Sequence, residues 1–181
     1  MLQSLERGHV VDDIVAGYGH LVLDECHHLS AVSFEAGRAP ILLTERKEHE
    51  RYFPERLGSF ARNVLVLQGG MGARQRRDVM QRLEQVPDRE ERVLVATGRY
   101  VGEGFDDARL DTLFLTMPIP WQVTLAQYVG RLRRRHPEKR EVAVYNYLDG
   151  EVAALRCMAG KRIKGYETLG YTVDQPDCWA M

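Results

Sequence analysis

Short apolar runs punctuate this chain at regular intervals, and charged segments of helical length separate them. His20-Leu21-Val22-Leu23, Ile41-Leu42-Leu43, Val64-Leu65-Val66-Leu67, Val93-Leu94-Val95-Ala96, Thr112 to Met117 and Val142 to Leu148 each read as a strand. Each is only three to seven residues long and most are rich in Val and Leu, as expected of strands buried on both faces. Between them the pattern predicts helices over roughly 46–58, 72–86, 122–132 and 150–168, with Gly58 and Pro87 as stop signals. A short helix is expected over 1–16, broken at Gly17-Tyr18-Gly19, and the tail after Thr172 is expected to be irregular. Strand and helix alternate at least four times, which is the signature of βαβ units and a mainly parallel sheet. The expected fold class is therefore α/β.

The chain has 181 residues and 44% hydrophobic content, enough for one globular domain with an appendage. Its net charge of −1 carries no global signature of a nucleic-acid binder. The charge is, however, unevenly placed. Residues 131–140 hold Arg131, Arg133, Arg134, Arg135, Lys139 and Arg140 against Glu138 alone, and residues 103–111 hold Glu103, Asp106, Asp107 and Asp111 against Arg109 alone. Cys26, Cys157 and Cys178 form no CxxC pair, so a reducing, cytoplasmic setting is expected rather than a disulfide framework. No apolar run approaches the ~20 residues of a membrane span.

Three constellations carry chemistry. In Leu21-Val22-Leu23-Asp24-Glu25-Cys26-His27 a buried strand delivers two carboxylates to its tip. In phosphoryl transfer such a pair can hold Mg²⁺ and orient water. In Gln127-Tyr128-Val129-Gly130-Arg131-Leu132-Arg133-Arg134 the two arginines three apart share one helical face, and guanidinium forks suit phosphate. Thr97-Gly98-Arg99-Tyr100-Val101-Gly102-Glu103-Gly104-Phe105-Asp106 is a glycine-rich loop after a strand, where α/β proteins place their sites. Taken singly, each has a plainer explanation: a surface turn, a solvated basic helix end, a flexible loop. Gln68-Gly69-Gly70-Met71-Gly72 adds a turn into a helix whose free N–H groups can take a phosphate.

Together these segments resemble motifs II, V and VI of the superfamily 2 DEAD/DEAH (DECH-box) helicases, in order, with Ile41-Leu42-Leu43-Thr44-Glu45-Arg46 similar to motif IV. The resemblance implies a RecA-like three-layer sandwich with a sheet of five to six strands. Residues 1–36 would be a remnant of a first RecA-like domain, 37–172 the second, and 173–181 a tail. It further implies ATP and Mg²⁺ as ligands. Asp24, Glu25, Arg131 and Arg134 would be catalytic, with Asp24 holding the metal only in a complete site. Gln127, Gly104 and Asp106 would meet the nucleotide. Thr44, Gly69, Gly70, Thr97 and Gly98 would contact a nucleic-acid backbone, and likeness to bacterial helicases of the type III restriction and repair kind implies DNA rather than RNA.

The sequence also departs from the family. It contains no Gly-x-x-x-x-Gly-Lys-Ser/Thr P-loop and no Ser-Ala-Thr motif III, and only 23 residues precede Asp24. Glu35 reaches Pro40 in five residues, so the chain reads as internally shortened around Ala36-Gly37. The expected partner is thus a P-loop-bearing RecA-like domain, in cis or in trans, with no ATP hydrolysis by this chain alone. The competing expectation is a degenerate, non-catalytic module that binds nucleic acid or a partner protein.

Overall fold

The computed structural model describes residues 19–24, 38–44, 47–58, 61–88, 90–97, 107–116, 123–137, 139, 141–147 and 152–174. The expected helix over 1–16, Glu25, Gly98, Gly104 and Asp106 lie outside these residues. The strands are β1 (Gly19–Asp24), β2 (Pro40–Thr44), β3 (Asn63–Leu67), β4 (Arg92–Thr97), β5 (Thr112–Leu115), β6 (Val142–Tyr147) and β7 (Tyr171–Asp174). The helices are α1 (Lys47–Leu57), α2 (Ala73–Gln85), α3 (Val123–Leu132) and α4 (Ala153–Thr168). Each apolar run became a strand, and the four expected helices that fall on described residues lie within a few residues of their predicted ends.

One sheet holds all seven strands in the order β3-β4-β2-β5-β6-β1-β7, and every pairing is parallel. The central five, β3 to β6 in that order, are the mainly parallel RecA-like sheet. Right-handed crossovers then dictate the layers. The connection from β2 to β3 runs one way across the sheet, and those from β3 to β4, β5 to β6 and β6 to β7 run the other. Accordingly α1 packs through Phe53 and Leu57 onto Leu42, Val93, Val95 and Phe114. The opposite face carries Leu83 of α2, Leu125, Val129 and Leu132 of α3 and Tyr166 of α4 over Ile41, Leu43, Leu94, Leu113 and Val144. Phe114 and Tyr145 stack at 4.7 Å between ring centroids beneath α1.

One feature departs from the sequence reading. The tail begins with a strand rather than irregular chain: Tyr171–Asp174 pairs with β1. Its alternation of buried Tyr171 with exposed Thr172 and Asp174 spans only four residues, too few to register as a period. The strand bearing Asp24 takes a place inside this sheet, between β6 and β7, with Gly19 to Asp24 in register with Val142 to Tyr147. No described helix is long and apolar enough to cross a membrane.

Candidate functional site

Because the strands are parallel, the sheet has one carboxyl edge and one amino edge, and the expected site residues divide between them. At the carboxyl edge Thr44 and Thr97 are cross-strand partners on adjacent strands. Alternation along β2 and β4 puts both on the α1 face, with Leu42, Val93 and Val95. Here β2 turns toward α1 while its neighbour β5 leads to α3 on the other face. Such a switch in direction opens a crevice at strand ends in α/β sheets. Thr44 is fully buried, whereas the Thr97 hydroxyl is buried with no hydrogen-bond partner. The end of β5 is tied to β2 where Thr116 Oγ1 and N–H both donate to Leu43 O, at 2.9 and 3.3 Å.

Next to β4 on its other side, β3 ends in the Gly69-Gly70 turn. Gly70 has φ of 93°, in the left-handed region, so the turn requires glycine. Both glycines are exposed. The turn feeds α2, whose first turn has no acidic residue; Gly72 N–H donates to Gln75 Oε1 at 3.1 Å. Thr44, Thr97 and the Gly69-Gly70 turn thus occupy the carboxyl ends of three neighbouring strands. Asp24 ends β1 at the same edge, but β5 and β6 stand between β1 and β2.

The arginines lie at the other edge. Helix α3 runs back along the sheet and ends beyond the amino ends of β5 and β6. Arg131 there lines a shallow crevice with Asp107, Tyr128, Ile41, Leu43 and Leu113. Asp107 immediately follows the expected nucleotide contact Asp106, so the exit of the glycine-rich loop and the arginine helix meet. Gln127 and Arg134 are exposed, and Arg131 is half-buried. Asp24 and the arginine pair are at opposite edges of the sheet.

The end of α3 satisfies its carbonyls through named side chains, an obligation at every helix terminus. The last turn tightens: Arg133 N–H donates to Gly130 O at 3.3 Å and Arg134 N–H to Arg131 O at 3.1 Å. The Val129 carbonyl instead accepts from the buried Tyr171 hydroxyl at 3.2 Å. Lys139 Nζ donates to Leu132 O at 2.8 Å and Arg134 O at 2.9 Å. The Arg133 guanidinium turns away from its neighbours and donates to Leu169 O. Burial pushes the Lys139 ammonium below its ordinary value, against the pull of Asp111 and Asp107. Burial also raises the Tyr171 phenol.

A dense ionic cluster supports this edge. Arg109 grips Asp107 with Nε to Oδ1 at 2.9 Å and Nη2 to Oδ2 at 3.2 Å. The same guanidinium donates to Leu83 O and Val86 O, each at 3.0 Å, and so caps the end of α2. Burial alone would raise the Asp107 carboxyl, but hydrogen bonds from the Arg109 side chain and N–H hold it below the ordinary carboxylate value. Asp111 accepts from Ala39 N–H at 3.1 Å and Thr112 Oγ1 at 2.9 Å, yet burial still raises its pKa. Arg38 pairs with Glu141 across β2 and β6. No local pattern marks Lys139, Tyr171 or Arg109 as partners of helix ends; their only visible signal is a charged or aromatic residue within a run. Among the described residues no cluster of His, Cys, Asp and Glu could hold a metal ion.

No protein-family model matches the chain, and no curated protein matches it in sequence. Solved structures do match in fold. The chain superposes on the crystal structure of T4 UvsW with a TM-score of 0.61 at 12% identity, over 87% of this chain and 40% of that one. For the C-terminal domain of the DEAD-box protein Dbp5 the TM-score is 0.61 at 16% identity, over 88% and 90%. For the E. coli DEAD-box protein SrmB bound to regulator of ribonuclease activity A it is 0.58 at 19% identity, over 90% and 91%. The chain spans less than half of UvsW but nearly all of the matched DEAD-box chains. Its fold is that of a RecA-like helicase domain.

Proposed function

We propose that this chain is the second RecA-like module of an ATP-dependent superfamily 2 nucleic-acid helicase or translocase. One observation carries the reading: residues from three separate sequence motifs, Thr44, Thr97 and Gly69-Gly70, fall on the carboxyl ends of three adjacent strands. The exposed Gly69-Gly70 turn, beside the buried Thr44 and Thr97 strand ends, gives a nucleic-acid backbone a place of close approach, read without regard to sequence. Gly98, which follows Thr97 in the sequence, is assigned to the same contact by the motif it belongs to.

At the amino edge, Arg131 and Arg134 act on ATP held by a P-loop-bearing RecA-like domain in cis or in trans. Gln127, Gly104 and Asp106 complete this chain's share of that nucleotide site. ATP supplies the phosphoryl group to be transferred, and this chain's arginines stabilise the charge that develops on it, an effect worth ~10³–10⁵ in rate. The arginine helix and Asp107 fit that task, since Arg131 lines a shallow crevice together with the Asp107 carboxylate. Asp24 and Glu25 would serve Mg²⁺ and water only in a complete site. A reducing cytoplasmic setting suits such a protein.

The test is titration of labelled single-stranded DNA and RNA with the full chain at two salt concentrations. Phosphate contacts predict weaker binding at higher salt for at least one of the two polymers, and weaker binding still in Thr97→Val. The structure of S. cerevisiae Dbp5 bound to RNA and ADP BeF3, similar in fold at 15% identity, makes RNA a necessary arm beside DNA. Binding of neither polymer, or binding of both that ignores salt, would overturn the reading of the carboxyl edge. Robust ATP turnover by the chain alone, abolished by Glu25→Gln, would overturn the expectation that it lacks hydrolysis. The alternative, a non-catalytic module, predicts the same nucleic-acid titration but no effect of Arg131→Ala on triphosphate binding.

A further inference from the structure

We infer that Lys139 and Tyr171 are positioning residues for the arginine pair: they hold the tightened last turn of α3 by its carbonyls and so fix where Arg131 and Arg134 point. The inference rests on the reading that those arginines meet a phosphate. Its basis is a carbonyl-by-carbonyl account of the helix end. Where Arg133 N–H moves to Gly130 O, the Val129 carbonyl is left to a side chain, and the Tyr171 hydroxyl takes it at 3.2 Å. Leu132 O and Arg134 O then flank the arginine turn, and the single Lys139 ammonium bridges them at 2.8 and 2.9 Å. The carbonyls these donors hold lie two residues before Arg131, between the two arginines, and on Arg134 itself.

The two donors reach α3 from different places. Tyr171 comes from β7, which pairs in the sheet with β1. Lys139 comes from the connection between α3 and β6, five residues past Arg134. Arg133 adds a third tie, to Leu169 O beside the positive-φ Gly170. Of the basic residues in this run, Lys139 and Arg133 are thereby committed to backbone carbonyls. A guanidinium fork acts on a phosphate only when its donors are held in place, because misplacement by about 1 Å can cost ~10²-fold.

The experiment uses the full chain with four variants: Lys139→Met, Lys139→Arg, Tyr171→Phe and the double variant Arg131→Ala/Arg134→Ala. The first readout is amide hydrogen exchange. Lys139→Met should speed exchange at Arg133 and Arg134 by about tenfold or more while leaving the strand amides of β2 and β4 unchanged, and Lys139→Arg should restore protection. The second readout is binding of inorganic tripolyphosphate, followed by the NMR signals of the arginine side-chain N–H groups. Lys139→Met should weaken it and Lys139→Arg should recover it, a pattern that a merely structural lysine would not produce. Tyr171→Phe should act in the same direction. Unchanged exchange at Arg133 and Arg134 in both Lys139→Met and Tyr171→Phe overturns the inference. So does tripolyphosphate binding that depends on the arginines but ignores Lys139. Tripolyphosphate signals that the double arginine variant leaves unaltered overturn the ATP reading instead.

Discussion

Arg109→Ala should be the most damaging single surface-proximal change in this domain. Arg109 and Asp107 have side chains only 14% and 7% exposed, so their fork-to-carboxylate pair is screened little by solvent. Removing one member of a buried pair costs roughly 3–5 kcal/mol, because the other charge stays buried and uncompensated. The nearby Arg92 guanidinium partly compensates Asp107, which favours the low end. Two carbonyls at the end of α2, Leu83 O and Val86 O, lose a donor as well. We therefore expect a loss of about 3 kcal/mol. At about 3 °C per kcal/mol for a domain of this size, that lowers the melting midpoint by roughly 9 °C. Urea denaturation followed by circular dichroism measures it. The pH dependence adds a sign. Asp107 has a folded pKa below its ordinary 3.8, so the pair's contribution is present above 3.8 and lost as pH falls through the folded value. The gap between wild type and Arg109→Ala should narrow on that acid side. A loss under about 1 kcal/mol at neutral pH, the scale of an exposed ion pair, would refute the reasoning.

Two further substitutions probe the two edges separately. Gly70→Ala forces an L side chain to a φ of 93°, with open space around it, so about 1–2 kcal/mol of backbone strain should appear in thermal denaturation with no steric component. An unchanged melting point would mean that the turn relaxes. Asp111→Asn keeps an acceptor for Ala39 N–H and removes a carboxyl that burial has raised above 3.8. A raised carboxyl gives its stability below 3.8 and loses it as pH rises through the folded value. The variant should therefore gain on wild type as pH climbs from acid to neutral in a denaturation series, and a constant difference would contradict that sign.

How much of this was legible in the sequence depended on the range of the interaction concerned. The strands β2 to β6 were visible because both of their faces are buried, which makes each a short continuous apolar run such as Val93-Leu94-Val95. Their order in the sheet followed from no local signal, yet the crossover rule made the layers predictable once the order was known. Strand β7 was invisible: its partner β1 lies some 150 residues earlier in the chain, and its own pattern is four residues long. The seating of β1 between β6 and β7 was equally beyond local pattern, since the residues before Pro40 could only be read as a strand seeking a sheet.

The basic run after Gly130 shows best what sequence and geometry each contribute. Spacing alone singled out Arg131 and Arg134, and could only group Arg133, Arg135, Lys139 and Arg140 with them as like charges. The fold separates them by what each nitrogen can reach. Arg133 is drawn to Leu169 O, and Lys139 folds back to Leu132 O and Arg134 O. Both choices follow from the helix end, where carbonyls carry partial negative charge and attract any cation within reach. A cation so engaged is a poor phosphate ligand, because turning to a phosphate would cost it the hydrogen bonds it makes to those carbonyls. Among the described residues of the run, Arg131 lines the Asp107 crevice, and Arg134 is exposed one helical turn further on. Charge reversal at Arg135, Arg135→Glu, should therefore alter triphosphate binding far less than Arg131→Ala, although it changes the charge by two units and Arg131→Ala by one. Equal losses in the two variants would mean that the run acts as a diffuse basic patch, and that the spacing of Arg131 and Arg134 carries no meaning of its own.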